Sequence, residues 1–145
     1  MKFKLTVLAA AIAFSGTALA NGNNSDVEQN GFNNEATVSQ YSGWWGGNNA
    51  SSVTQDGAKN DATVHQQGWG GNVSEIDQDG LGNSSDVFQD GTTNTASITQ
   101  NGEFNSSDSQ QEGWDNVLQV EQSGIKNNAS TFQNGWNNYA NVSQD

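Results

Sequence analysis

The chain has 145 residues, with 16 acidic side chains, four lysines, no arginine, a formal charge of −12, and neither Cys nor Pro. A nucleic-acid binder needs a basic footprint, and a disulfide framework or thiolate metal site needs cysteines; this composition excludes all three. Hydrophobic residues are 32 % of the chain, well below the roughly 45–50 % of globular domains, so composition alone points to disorder, and only the pattern argues otherwise.

The first element is an export signal. Lys2 and Lys4 form a positive start, Leu5 to Phe14 an apolar stretch, and Ala18-Leu19-Ala20 a small-residue cleavage site. The apolar run is too short to span a bilayer. Cleavage between Ala20 and Asn21 would leave a secreted chain with two lysines, Lys59 and Lys126, against all 16 acids. No later segment has the composition to enter a membrane.

From Asn23 onward one template recurs, N-x-[AS]-x-[VI]-x-Q-x-G-x-x. Its Asn column is Asn23, Asn34, Asn49, Asn60, Asn72, Asn83, Asn94, Asn105, Asn116, Asn127 and Asn138. Its Gln column is Gln29, Gln40, Gln55, Gln66, Gln78, Gln89, Gln100, Gln111, Gln122, Gln133 and Gln144. The second column uses eleven of the fourteen glutamines, so glutamine richness does not explain it. Four residues are inserted near Gly43 and one after Gly68; every other spacing is eleven. Fixed-period self-similarity of this kind marks a stacked repeat architecture.

Within each unit the special residues sit at positions 1, 3, 5 and 7, the period of a strand. Position 5 is nearly all Val or Ile, which favour strands, and position 3 is Ala or Ser except at Leu118. The x-G-x-x after Gln predicts a short turn. The expected fold is all-β: a flattened β-solenoid of strand-turn-strand rungs of about 22 residues, two parallel sheets, and five and a half rungs from eleven half-repeats. Asn and Gln are expected to stack on their own kind in amide ladders between rungs. The two exceptions, Ser109 in the valine column and Leu118 in the alanine column, fall in consecutive units. They are expected to compensate each other's volume across the core.

The repeat resembles the curlin repeat, S-x5-Q-x-G-x-x-N-x-A-x3-Q. Gln29, Gly31, Asn34, Ala36 and Gln40 match its second part in spacing and identity, as do Gln55 through Gln66 and Gln89 through Gln100. The resemblance covers essentially the whole chain after the signal. It implies a subunit of curli, the extracellular amyloid fibres of Gram-negative bacteria that build biofilm matrix and mediate adhesion. It also implies passage through the periplasm, a dedicated outer-membrane secretion pore with accessory factors, and a major or minor curlin partner. Two features depart from the family: Asn replaces the leading Ser, and only Asn21 and Gly22 separate the signal from the first unit. The last unit is acidic rather than basic, which is closer to the major subunit than to the nucleating one.

Both the first and last units are in consensus, so each end of the coil is expected to expose unpaired strand edges that recruit another copy. The negative charge is read as a brake on association during export. Calcium binding by the carboxylates is the weaker reading, because the nonapeptide of calcium β-rolls is missing. All five tryptophans, Trp44, Trp45, Trp69, Trp114 and Trp136, fall in even-numbered turns and hence on one edge. Such a row suits contact with matrix polysaccharide or an apolar surface, or else the indoles stack on each other and brace the turns.

No catalytic constellation, metal site or cofactor site is expected. The single histidine, His65, is predicted outward and isolated, and there is no nucleophile–base spacing or phosphate loop. The alternatives kept open are a secreted glycan- or surface-binding solenoid using the Trp edge, and an ice-binding solenoid. For the latter, only Thr95 and Thr99 offer a threonine row.

Overall fold

The computed structural model describes residues 22–43 and 47–145. The export signal, the Ala20–Asn21 cleavage position, Trp44 and Trp45 lie outside the described residues. Eleven strands follow one another: β1 (Asn24–Phe32), β2 (Glu35–Gln40), β3 (Ala50–Ala58), β4 (Asp61–Gly70), β5 (Val73–Leu81), β6 (Ser84–Thr92), β7 (Thr95–Glu103), β8 (Ser106–Trp114), β9 (Val117–Ile125), β10 (Asn128–Trp136) and β11 (Tyr139–Gln144). Odd strands form a six-stranded parallel sheet, sheet A, in the order β1-β3-β5-β7-β9-β11. Even strands form a five-stranded parallel sheet, sheet B, in the order β10-β8-β6-β4-β2. The protein is a β-solenoid of two parallel sheets, as the two-residue period and the 22-residue double unit predict.

The stacking is in register by template position: Val27 pairs with Val53, Gln29 with Gln55, and Gly31 with Gly57, and the same holds up the stack. Alternation then sends positions 3, 5 and 7 inward along every strand. The core is a thin column of Ala36, Val53, Ala62, Val64, Ile76, Val87, Ala96, Ile98, Leu118, Val120 and Ala129. Its end members Val27, Val38, Ala140 and Val142 are only partly buried, because no rung covers them.

Three local features differ from the sequence reading. All strands except β2 and β11 run through the glycine to position 10 or beyond, leaving little more than position 11 and the following Asn as the turn. Asp56, Asp79 and Asp90, which read as turn acids, therefore stand in strands. Position 11 takes the left-handed conformation even where it is not glycine, with φ of 54–62° at Asn33, Lys59, Thr93, Phe104, Asp115, Lys126 and Asn137. Such φ is strained for β-branched and aromatic residues. Beyond the first rung it is held by the position-11 amide donating to a carbonyl at the end of the strand one rung back, as Phe104 does to Leu81 at 2.9 Å. The single-residue insertion after Gly68 is absorbed as a register shift between Gly68 and Gly70.

Ser109 and Leu118 are both 1 % exposed. The serine's tolerance in the valine column has a polar component: its Oγ lies 3.3 Å from Ser107 Oγ and accepts a bond from Thr131 Oγ1 at 3.1 Å.

Candidate assembly interface

The glutamines form two continuous columns. In sheet A, Nε2 of each residue from Gln29 to Gln122 donates to Oε1 of the next, through Gln55, Gln78 and Gln100 to Gln144, at 2.6–2.8 Å. In sheet B the column runs Gln40, Gln66, Gln89, Gln111, Gln133 at 2.7–2.8 Å. Every amide donates in the same direction, toward the C-terminal rung.

The second N–H of the glutamines does something the repeat alone does not reveal. In every glutamine of the two columns except Gln29 it crosses the core to the carbonyl of position 2 in the preceding unit: Gln78 to Asp61, Gln100 to Ser84, Gln122 to Ser106. One side chain thus ties rung to rung and sheet to sheet. Most of these glutamines are fully buried, so an amide losing its partners is left with an unmet hydrogen-bonding need costing roughly 1–3 kcal/mol.

The asparagines are arranged differently from the simple amide ladder expected. Oδ1 accepts the backbone N–H of the next Asn in its column, as Asn60 Oδ1 does from Asn83 at 3.0 Å. Nδ2 donates to the carbonyl of position 8 just before it, and to a glycine carbonyl one rung further on, as Asn83 does to Asp79 and Gly102. Among the described residues, asparagine amide-to-amide bonds run only from Asn116 to Asn94 and from Asn138 to Asn116. The asparagine therefore closes each turn, while glutamine supplies the continuous ladder.

The glycine column has a reason beyond turn conformation. Gly57, Gly80, Gly91, Gly102 and Gly113 sit at φ of 111–128°, and a Cβ on any of them would lie 2.0–2.1 Å from the carbonyl oxygen of the glycine above. At the C-terminal end this crowding vanishes: a Cβ on Gly135 would meet nothing nearer than 3.4 Å, and on Gly124 nothing nearer than 3.6 Å.

The two ends of the described stack are chemically opposite. Gln29 and Gln40 present Oε1 atoms that receive no donor among the described residues, while Gln133 and Gln144 present N–H groups with no further glutamine to take them. Likewise Asn127 and Asn138 offer free Oδ1 acceptors at the C-terminal end. The charges differ too. β1 and β2 carry Asp26, Glu28 and Glu35, whereas no acidic residue occurs between Glu121 and Asp145.

On the outer face of sheet B, Glu35 pairs in register with Asp61 and Asp86 with Asp108. Partial burial, then the neighbouring Glu35, raises the Asp61 carboxyl above its ordinary range. Asp86 is raised by partial burial, then by Asp108 and Asp61, against a lowering by His65. His65 itself is not isolated: its ring stacks on Phe88 at 5.3 Å. Among the described residues no group of His, Cys, Asp or Glu is placed to hold a metal ion.

On the even edge Trp69, Trp114 and Trp136 are exposed. Trp114 and Trp136 stack at 5.1 Å and 3°, but Thr92 interrupts the row below Trp114.

The family model described as Curlin associated repeat matches residues 91–124, the stretch from the glycine before β7 to the glycine near the end of β9. A comparison with curated proteins gives no match. The matched segment runs from the end of β6 through β7 and β8 into β9, more than one full rung of the coil described above, and its in-register neighbours repeat the same template. Over that segment the chain is similar to the curlin repeat family, a structural and non-enzymatic family associated with extracellular curli fibres.

Proposed function

We propose that the chain is the structural subunit of an extracellular curli-like amyloid fibre, exported through the periplasm and assembled end to end at the bacterial surface for biofilm matrix and adhesion. The observation that carries this reading is the opposed polarity of the glutamine columns: free acceptors on Gln29 and Gln40 at one end, free donors on Gln133 and Gln144 at the other. Two copies stacked head to tail satisfy all four groups; head to head, acceptors meet acceptors. The half-buried Val27, Val38, Ala140 and Val142 gain cover at the same contact, and exposed strand edges of this kind recruit further strands.

Its principal partner is therefore itself. A second curlin subunit, a secretion pore with accessory factors, and matrix polysaccharide complete the setting that the family suggests. The tryptophan edge takes a bracing part in this reading, since the stacked indoles of Trp114 and Trp136 turn their faces to each other rather than offering them to sugar rings.

Seeded polymerisation tests the proposal. Purified chain should elongate after a lag, and preformed fibre ends should abolish that lag. A chain that stays monomeric at all concentrations, with or without seeds, would overturn it and favour a solitary surface-binding solenoid.

A further inference from the structure

We infer that successive copies in the stack are related by a half-turn: each copy is rotated by about 180° around the stack axis, so that sheet A of one continues into sheet B of the next. This rests on the end-to-end reading above and adds the geometry of the seam.

The inference comes from parity. The described strands number eleven, and both β1 and β11 lie in sheet A. The next place along the coil after β11 is therefore on top of β10, in sheet B. An incoming β1 fills it only if the copy is turned by half a revolution. Its β2 then lands on β11, and parallel strand direction is kept. The turn costs nothing in register, because odd and even units share one template. An unrotated copy would place β1 on β11 and β2 two rungs above β10. That leaves a one-strand gap beside Gln133.

One unmade hydrogen bond picks out the same arrangement. Ten glutamines donate across the core to the position-2 carbonyl of the unit before, from Gln40 to Asn24 through Gln144 to Asn128. Gln29 donates only to Gln55, and the Tyr139 carbonyl is the one position-2 acceptor without a glutamine among the described residues. With a rotated copy, Gln29 follows the unit of Tyr139 and completes the series. Without rotation the slot preceding Gln29 is empty, and both groups stay unpaired.

The half-turn sets Asp26 beside Ser130 and Glu28 beside Phe132, so no like charges meet at the seam, although β11 carries no acid either and charge does not choose between the two arrangements. It also sets Phe32 over Trp136, so that the tryptophan edge switches sides of the fibre at every subunit.

Paired cysteines decide the seam in the full exported chain, which has no native cysteine. Position-matched residues on neighbouring strands lie about 4.8 Å apart, within the roughly 4.4–6.8 Å that a disulfide spans. Asp26, Ser130 and Asn141 are all exposed. Fibres of the Asp26→Cys/Ser130→Cys variant should oxidise to a ladder of covalent multimers, while Asp26→Cys/Asn141→Cys fibres should not. The reverse result overturns the half-turn and leaves end-to-end stacking intact. Fibres in which neither pair links overturn the half-turn together with the position-matched seam. Absence of fibres from the unaltered chain overturns the proposed function itself. Helical reconstruction of unaltered fibres gives a readout free of substitutions: a rise of about 26 Å with rotation near 180° is expected, and a rise of about 29 Å with little rotation refutes it.

Discussion

The α-carbon of Gly102 faces the carbonyl of Gly124 so closely that a β-carbon added to Gly102 would lie 2.0 Å from that oxygen. Both atoms belong to backbone held by the ladders on either side, so neither can move away. Gly102→Ala should therefore destabilise the subunit by at least about 3 kcal/mol, in the range of severe backbone strain and overpacking, visible as a large drop in denaturant midpoint. Gly135→Ala meets nothing within 3.4 Å in the single subunit. It should cost only the roughly 1–3 kcal/mol of a side chain held in a backbone region nearly reserved for glycine, φ 118° here, and yet stop elongation, because a glycine carbonyl of the incoming copy needs that space. Circular dichroism of the monomer and seeded growth separate the two effects.

Gln100 bridges three partners: it accepts from Gln78 and donates to Gln122 and to the Ser84 carbonyl. Gln100→Ala removes all three and opens a cavity in the ladder. Since each orphaned buried group costs roughly 1–3 kcal/mol, a loss of about 3 kcal/mol is expected, measured by chemical denaturation. Gln29→Ala, at the end of the same column, should leave monomer stability within about 1 kcal/mol while slowing elongation.

Asp61 and Asp86 are held above the ordinary carboxylate range in the folded stack. Their folded pKa exceeds the unfolded value, so they favour the protonated form. The stability they contribute is fully present below the unfolded pKa and is lost as pH rises through the folded one. The stack should therefore become more stable, and assemble faster, as pH falls from neutrality toward about 4. Asp86→Asn should gain roughly 0.5 kcal/mol at pH 7 by relieving the in-register repulsion from Asp108, and should flatten the pH dependence of the unfolding midpoint.

Ser74 Oγ is buried with no hydrogen-bond partner, as are the hydroxyls of Ser51 and Ser85 at the same template position. Alanine occupies that position at Ala62 and Ala96. Ser74→Ala should raise stability by about 1 kcal/mol, the cost of an unpaired buried hydroxyl. A thermal unfolding midpoint that falls instead would place a partner on that oxygen.

Much of this structure is legible in the sequence, because in-register stacking repeats each demand eleven times. The alternation of Asn, Ala or Ser, Val and Gln gives the inward face directly, and the column of glutamines gives the ladder. Less legible is whatever one residue does for another unit. The crossing bond from Gln78 to the Asp61 carbonyl uses a backbone acceptor and leaves no side-chain signature. The left-handed position 11 is hidden because Lys59, Thr93 and Phe104 occupy it, where Asn or Gly would have announced it. The glycine column was visible, but its cause was not: a turn glycine and a glycine squeezed by the rung above look alike in one dimension. His65 reads as solitary until β4 and β6 come into register and set it on Phe88.

If further copies complete the open ends of this stack, strands repeat without interruption along the fibre axis. X-ray fibre diffraction from the assembled chain tests it most directly. A sharp meridional reflection at about 4.8 Å is expected from strands stacked along the fibre, with a diffuse equatorial one near 10 Å from the paired sheets. A concentrated, seeded preparation that yields only discrete compact particles and no such meridional spacing would contradict it.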